Sequence, residues 1–105
     1  DIAHVLADLD VDVISLEAAR SRMELLQTFA SLPLPNGVGP GIWDVHSPRT
    51  PSQEEILTLL HTALAFLRPE QLWVNPDCGL KTRRWEEVLP ALRNMVAAAK
   101  TLRKE

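Results

Sequence analysis

One pattern occurs three times along this chain and restricts its fold more than any other feature. Segments 11–17, 41–47 and 71–77 each begin with β-branched, aromatic or other apolar residues and end in polar ones. Each is followed by a segment with helical periodicity. The segments start roughly 30 residues apart, which is the length of one strand–helix unit. Alternating strands and helices indicate parallel strands with right-handed crossovers, so we predict an α/β fold.

The helix after the second strand has the clearest signals. Thr50 is expected to cap it, Pro51 suits its first position, and Gln53 completes a capping box. Its apolar stripe is predicted to contain Ile56, Leu59, Leu60, Ala63, Leu64 and Leu67. An earlier helix is predicted to start at Ser21, with Glu24 in its capping box, and the prolines and glycines of residues 31–41 are expected to end it and to exclude regular structure.

The last helix is predicted to run from about Arg84 to the end of the chain. Its stripe is expected to contain Trp85, Val88, Leu89, Leu92, Met95, Val96, Ala99 and Leu102. Three parallel strands with their helices bury themselves poorly. We therefore expect residues 1–105 to be an incomplete domain, the last three strand–helix units of a (β/α)8 barrel of the TIM type. The first residue is Asp1 rather than methionine, which fits a piece of a longer protein.

Charge and composition exclude several classes of partner. The chain has 11 basic and 14 acidic side chains, a net charge of −3, and no basic stripe, so we expect no nucleic-acid partner. No apolar run approaches the roughly 20 residues that span a bilayer, so no membrane partner is expected. The single cysteine excludes an internal disulfide bond and fits a reducing compartment, which predicts a cytoplasmic protein.

Polar side chains with reactive groups stand at the end of each predicted strand. Glu17 ends the first, His46 the second, and Asp77 and Cys78 the third. Since the carboxyl ends of parallel strands meet at one edge of the sheet, about 4.8 Å from strand to strand, these groups are expected to lie together. They suit either a zinc site or a cysteine nucleophile with His46 as its base.

Each of these residues also has a purely structural interpretation. Cys78 alone would most often be a buried, inert side chain, although its polar neighbours argue against this. Glu17 would simply be solvated at the end of its strand. That strand is expected to be central, however, where burying a carboxylate without a partner costs free energy. His46 would cap a turn. His4 and His61 lie in helical segments and are interpreted as structural.

Three stretches resemble the C-terminal part of the cobalamin-independent methionine synthase family: DVISLEAARSRMELL (12–26), GPGIWDVHSPRTPS (39–52) and NPDCGLKTR (75–83). The resemblance covers nearly the whole chain. It implies an α/β barrel with zinc at its C-terminal mouth and methyl transfer from 5-methyltetrahydrofolate polyglutamate to homocysteine. It also implies that Glu17 and Cys78 are zinc ligands and that His46 protonates the folate leaving group. The family's other two ligands, from a His-x-Cys strand, have no counterpart in this chain.

Asp77 is expected to support the site rather than bind the metal, and Gly79 to permit a sharp turn after the strand. Lys81 and Arg83 are interpreted as charges at the start of the helix or at the rim of the site rather than as contacts for a polyglutamate tail. Two alternatives stay open: a non-catalytic barrel fragment that acts as an interaction module, and a related corrinoid-dependent zinc thiol methyltransferase. Alone, the 105 residues are expected to be inactive and to self-associate through open strand edges.

Overall fold

The structure is a computed structural model, and it describes residues 5, 8, 10–18, 26–27, 35–45, 47, 49–77 and 79–105. Ser21 and Glu24, and with them the predicted start of the first helix, lie outside the described residues. The elements, in chain order, are β1 (Val13–Leu16), β2 (Gly37–Pro40), α1 (Gln53–Ala63), a 3-10 turn (Pro69–Gln71), a second 3-10 turn (Leu80–Thr82) and α2 (Trp85–Arg103).

The sheet is parallel, as the alternation of elements predicted. β1 pairs with β2 along the full length of both strands. On the other side of β2 lies the third segment, residues 72–77, which joins it through the parallel bridges Val38–Leu72 and Gly41–Asn75. Its backbone N–H groups at Trp73 and Asp77 donate to β2 and the residues that follow β2. The spatial order is therefore β1, β2, third segment, which is also the order along the chain.

The predicted position of the second strand is wrong. We expected it at 41–47, but β2 is Gly37–Pro40 and lies inside the stretch that we expected to be irregular. Glycine and proline weaken an isolated strand, but β2 has a hydrogen-bonding partner on both sides. Its glycines also leave room for side chains of the third segment, so packing against neighbours overrides the local propensity.

The N-cap of helix α1 lies two residues later than predicted. The cap is Ser52, whose side-chain oxygen accepts a hydrogen bond from the Glu55 backbone N–H at 3.1 Å, and not Thr50. Ser52 and Glu55 also match the capping pattern, which the prediction overlooked in favour of Thr50 and Gln53. The stripe itself is largely confirmed, because Ile56, Leu60 and Ala63 are buried.

Helix α2 begins one residue after the predicted start and ends two residues before the end of the chain, close to the prediction, but its buried stripe is rotated from the predicted one. Val88, Ala91 and Ala98 are buried, whereas Trp85 and Val96 are exposed. Alanine has little side chain, so it lies where the helices approach closely, while the larger Trp85 lies outside that contact. The two helices pack on one face of the sheet and form a core with Val38, Ile42, Ile56, Leu60, Ala63, Val88, Ala91 and Ala98.

A search of the helices in the described part of the chain finds none that is long and apolar enough to cross a membrane.

Candidate functional site

Side chains on the sheet alternate between two faces, and the two faces differ in composition. The helix face, which α1 and α2 cover, contains Ile14, Leu16, Val38, Ile42, Leu72 and Val74. The opposite face, here called the glycine face, contains Val13, Ser15, Gly37, Gly39, Gly41, Trp73, Asn75 and Asp77. In a barrel the helices lie outside, so the glycine face corresponds to the barrel interior.

The middle of the glycine face has no side chains, and side chains of the third segment lie across it. A Cβ atom built on Gly37 would be 2.7 Å from the Trp73 Nε1 atom. One on Gly41 would be 2.7 Å from the Asp77 Cγ atom and 2.9 Å from its Cα atom. Real Cβ atoms do not tolerate such distances. At Gly37 the Trp73 side chain would have to move, whereas at Gly41 the Asp77 backbone is also in the way, so a larger residue at Gly41 would push the third segment away from β2.

Asn75 spans the middle strand from one side to the other. Its Nδ2 atom donates to the Ser15 Oγ atom of β1 at 3.3 Å and to the Gly39 carbonyl oxygen of β2 at 3.2 Å. It also donates to the Pro76 carbonyl oxygen at 3.1 Å. One amide therefore connects all three parallel segments.

Asp77 makes a second connection, at the carboxyl end of the sheet. Its side chain is buried, and the Oδ1 atom accepts a hydrogen bond from the Ala18 backbone N–H at 3.2 Å. Its own N–H donates to the Trp43 carbonyl oxygen at 3.0 Å. Ala18 directly follows Glu17, and Asp77 directly precedes Cys78. The structure thus joins the two chain segments that carry the predicted metal ligands, although 59 positions separate the bonded residues.

Of the three side chains predicted to bind the metal or to transfer a proton, the structure describes only Glu17. Glu17 follows β1 directly, as predicted, and its side chain is exposed. Among the described residues β1 pairs with β2 alone. His46 and Cys78 lie outside the described residues. Among the residues that are described, no group of three or more His, Cys, Asp or Glu side chains could hold a metal ion. The roles of Glu17, His46 and Cys78 therefore stay predictions.

The turn after the third segment has the predicted form. Gly79 has a φ of 109° and a ψ of 17°, a left-handed conformation that favours glycine, and the chain then enters the second 3-10 turn. Thr82 donates its hydroxyl proton to the Gly79 carbonyl oxygen at 2.6 Å. Arg83 forms an ion pair with Glu87 at 2.5 Å, which agrees with its interpretation as a helix-start charge.

Two pairs of polar side chains lie at the surface. His61 is exposed and lies 2.8 Å from the Glu105 carboxylate, in agreement with a structural interpretation. Arg49 and Glu55 form a bidentate pair with N–O distances of 2.5 and 2.8 Å. The hydrogen bond from Arg49 lowers the pKa of the Glu55 carboxyl group below its usual value, and the same bond raises the pKa of Arg49.

The sequence interpretation missed the glycine face. Its signal was present as two stretches with period 2: glycines at 37, 39 and 41, and larger side chains at 73, 75 and 77. Once the strands are placed side by side, each glycine lies opposite one of these side chains. The prediction placed the strand four residues too late, so the two series were not aligned.

Comparison with known proteins identifies the family. The profile described as Cobalamin-independent synthase, Catalytic domain, matches residues 1–101. The chain belongs to this family. A 5-methyltetrahydropteroyltriglutamate–homocysteine methyltransferase from Salinibacter ruber is 60% identical over 103 residues, which are 98% of this chain and 13% of that protein. An enzyme of the same name from Xylella fastidiosa is 59% identical over 105 residues, which are 100% of this chain and 14% of that protein.

A solved structure confirms the fold class. The B12-independent methionine synthase from Shewanella sp. W3-18-1, in complex with selenomethionine, superposes with a TM-score of 0.82 at 28% identity. The match covers 95% of this chain and 29% of that one. The predicted class, a parallel α/β segment of a TIM-type barrel, is thus confirmed. The chain spans only about one seventh of the curated relatives it matches.

Proposed function

We propose that this chain is part of the catalytic barrel of an enzyme that makes methionine, by moving a methyl group from 5-methyltetrahydropteroyltriglutamate to homocysteine. The names of the family relatives support this reaction. The hydrogen bond between Ala18 and Asp77 supports assigning this reaction to particular residues, because it joins the neighbours of Glu17 and Cys78 at the carboxyl end of the sheet. Relatives that are independent of cobalamin favour a folate donor over a corrinoid one.

Glu17 and Cys78 would hold a zinc ion in this enzyme. A carboxylate and a thiolate are ligands that zinc accepts, and structural and catalytic zinc sites need three or four protein ligands. The chain has no His-x-Cys strand, so the remaining ligands would come from another part of the barrel. The exposed position of Glu17 fits a ligand that faces the barrel interior. A cytoplasmic location is part of the proposal, since a free thiolate ligand needs a reducing compartment.

Bound zinc would keep the homocysteine sulfur as a reactive thiolate at neutral pH. The sulfur attacks the methyl carbon, and the bond between that carbon and the pterin nitrogen breaks. A tertiary amine leaves poorly unless a proton reaches its nitrogen. His46 supplies this proton, because an imidazole is the side chain that changes its charge near neutral pH.

Asp77 would hold the site together without binding the metal. Its Oδ1 atom already accepts a hydrogen bond from Ala18, and its side chain is 6% exposed, with Gly41 close beneath it. A carboxylate in this setting fixes the segment of Glu17 relative to the segment of Cys78.

The test uses the longest natural polypeptide that contains this chain. Bound zinc is measured by elemental analysis, and methionine formation from homocysteine and the folate triglutamate is measured in parallel. Cys78→Ser is expected to lose zinc and activity together. His46→Asn is expected to keep zinc and to lose roughly 100-fold or more in turnover.

His61→Asn is the matched control, because this histidine is exposed and lies in α1. It is expected to keep both zinc and turnover. Full activity in His46→Asn, or full zinc content in Cys78→Ser, would contradict the proposed roles.

A further inference from the structure

We propose that Asn75 is a positioning residue that sets the distance between the segments of Glu17 and Cys78. This inference rests on the proposed zinc site but concerns a side chain that would not touch the metal. Asn75 is three residues before Cys78, and its partner Ser15 is two residues before Glu17. Its hydrogen bonds therefore act on both segments just before the ligands.

The two segments are not neighbours in the sheet. β2 lies between them, so their backbones are separated by two strand spacings, or about 9.6 Å, and cannot bond to each other directly. Among the described residues, side chains that lie over β2 connect them, and Asn75 does so with bonds of 3.3 Å to Ser15 and 3.2 Å to Gly39. The bond between Asp77 and Ala18 acts in the same way one step further along.

The Gly39 position shows that this connection depends on close contact. A Cβ atom there would lie 3.0 Å from the Asn75 Cγ atom and collide with its Oδ1 atom. The three nearest atoms all belong to the Asn75 side chain. At Gly41, by contrast, the Asp77 backbone is also in the way. An alanine at position 39 would therefore clash with the Asn75 side chain, and shortening that side chain would remove the clash.

The amide suits this position chemically. Its Nδ2 group has two donor hydrogens, which are shared among the Ser15 hydroxyl, the Gly39 carbonyl and the Pro76 carbonyl oxygens, and it has no charge. An aspartate of the same size could not donate to the carbonyl oxygen.

The experiment measures zinc affinity in the longest natural polypeptide that contains this chain, by competition with a chromophoric chelator. The absorption of the cobalt-substituted protein and the unfolding midpoint are recorded on the same samples. Asn75→Ala is expected to weaken zinc binding about tenfold, the scale seen when residues that orient ligands are lost. The thiolate-to-cobalt absorption is expected to change as well.

Val74→Ala is the matched control, because Val74 is the preceding residue and packs against the core on the helix face. It is expected to lower the unfolding midpoint while zinc affinity and the cobalt spectrum stay as in the wild type. If Asn75→Ala behaves like Val74→Ala, Asn75 is merely structural and the inference is wrong.

A double variant distinguishes a positioning role of Asn75 from a general loss of folding. Gly39→Ala alone is expected to weaken zinc binding, because the new Cβ atom displaces the Asn75 amide. Adding Gly39→Ala to Asn75→Ala is expected to cause no further loss. Strictly additive losses would contradict the inference. If Asn75→Ala does not fold, the Ser15→Ala variant is measured instead. Its zinc affinity is expected to fall three- to fivefold, about the effect of losing one hydrogen bond. An unchanged zinc affinity would contradict the inference.

Different results would contradict the proposed zinc site and the positioning role of Asn75. A wild-type protein that binds no zinc, or whose zinc is indifferent to Cys78→Ser, contradicts the proposed function. A wild-type protein that binds zinc through Cys78 but is indifferent to Asn75 and Ser15 contradicts the positioning role alone.

Discussion

The two faces of the same small sheet are stabilised by different means. On the helix face, Val38 and Ile42 pack against Ile56 and Leu60, and each of these four side chains is at most 1% exposed. On the glycine face, polar side chains lie across β2, which has only glycines on this face. Burial on the helix face provides most of the folding free energy and tolerates similar shapes. Directed bonds on the glycine face add less free energy but determine the distance between strand ends.

The largest expected effect lies on the helix face. Leu60→Ala is expected to lower the free energy of unfolding by about 3 kcal/mol, since Leu60 is fully buried in the core and leaves a cavity. Denaturation with urea measures this loss, and zinc affinity of the folded fraction is expected to stay unchanged. A loss below about 1 kcal/mol would show that the helix face is not the main source of stability.

The second-largest expected loss of stability lies on the glycine face. Gly41→Ala is expected to cost about 1–3 kcal/mol, because the added Cβ atom collides with both the side chain and the backbone of Asp77. Gly39→Ala is expected to cost less, because only the Asn75 side chain must move. Urea denaturation of both variants measures the difference. Equal costs would mean that the third segment shifts as a whole and that the glycines are not individually matched.

A smaller effect tests the start of α1. Ser52→Ala is expected to lower the free energy of unfolding by about 1 kcal/mol, since the Glu55 N–H loses its acceptor. Thr50→Ala, two residues away and exposed, is the control and is expected to change stability little. The same urea experiment measures both. A larger loss for Thr50→Ala would restore the cap that the sequence predicted.

The smallest effect concerns pH and the surface pair of Arg49 and Glu55. The hydrogen bond from Arg49 lowers the pKa of Glu55 in the folded state, so the pair stabilises the fold above the usual carboxyl pKa of about 4.3. This contribution is lost as the pH falls through the lowered pKa. Thermal unfolding of Glu55→Gln should show a slightly lower midpoint than the wild type at pH 7 and no difference near pH 3.

Glu54→Gln controls for the loss of one acidic charge in the first turn of α1. A difference between wild type and Glu55→Gln that is the same at both pH values would show that the ion pair contributes nothing. The pair lies outside the glycine face, so zinc affinity is not expected to change with this variant.

Periodicity was sufficient to predict the two helices that cover the helix face. Apolar residues at helical spacing gave the existence of α1 and α2 and most of their buried side chains, since burial against a neighbour follows directly from the pattern. The rotation of α2 was missed because closely packed helices prefer alanine at the contact. Hydrophobicity alone cannot distinguish Ala91 from the larger Trp85 in that respect.

The glycine face could not be predicted from local propensity. Residues 37–40 read as a turn, and only the partners on both sides make them a strand. The proximity of the Glu17 and Cys78 segments did follow from strand order, because parallel strands end at one edge. The side chains that connect them, Asn75 and Asp77, depend on a register that a single sequence does not reveal.

The most direct test of a zinc site shared by Glu17 and Cys78 is X-ray absorption at the zinc edge. It would be applied to the longest natural polypeptide that contains this chain and to its Cys78→Ser and Glu17→Gln variants. We expect Cys78→Ser to lose one sulfur neighbour and Glu17→Gln to keep all sulfur neighbours but lose one oxygen neighbour. Spectra of both variants that match the wild type would show that these strand ends, although joined through Ala18 and Asp77, do not hold the metal.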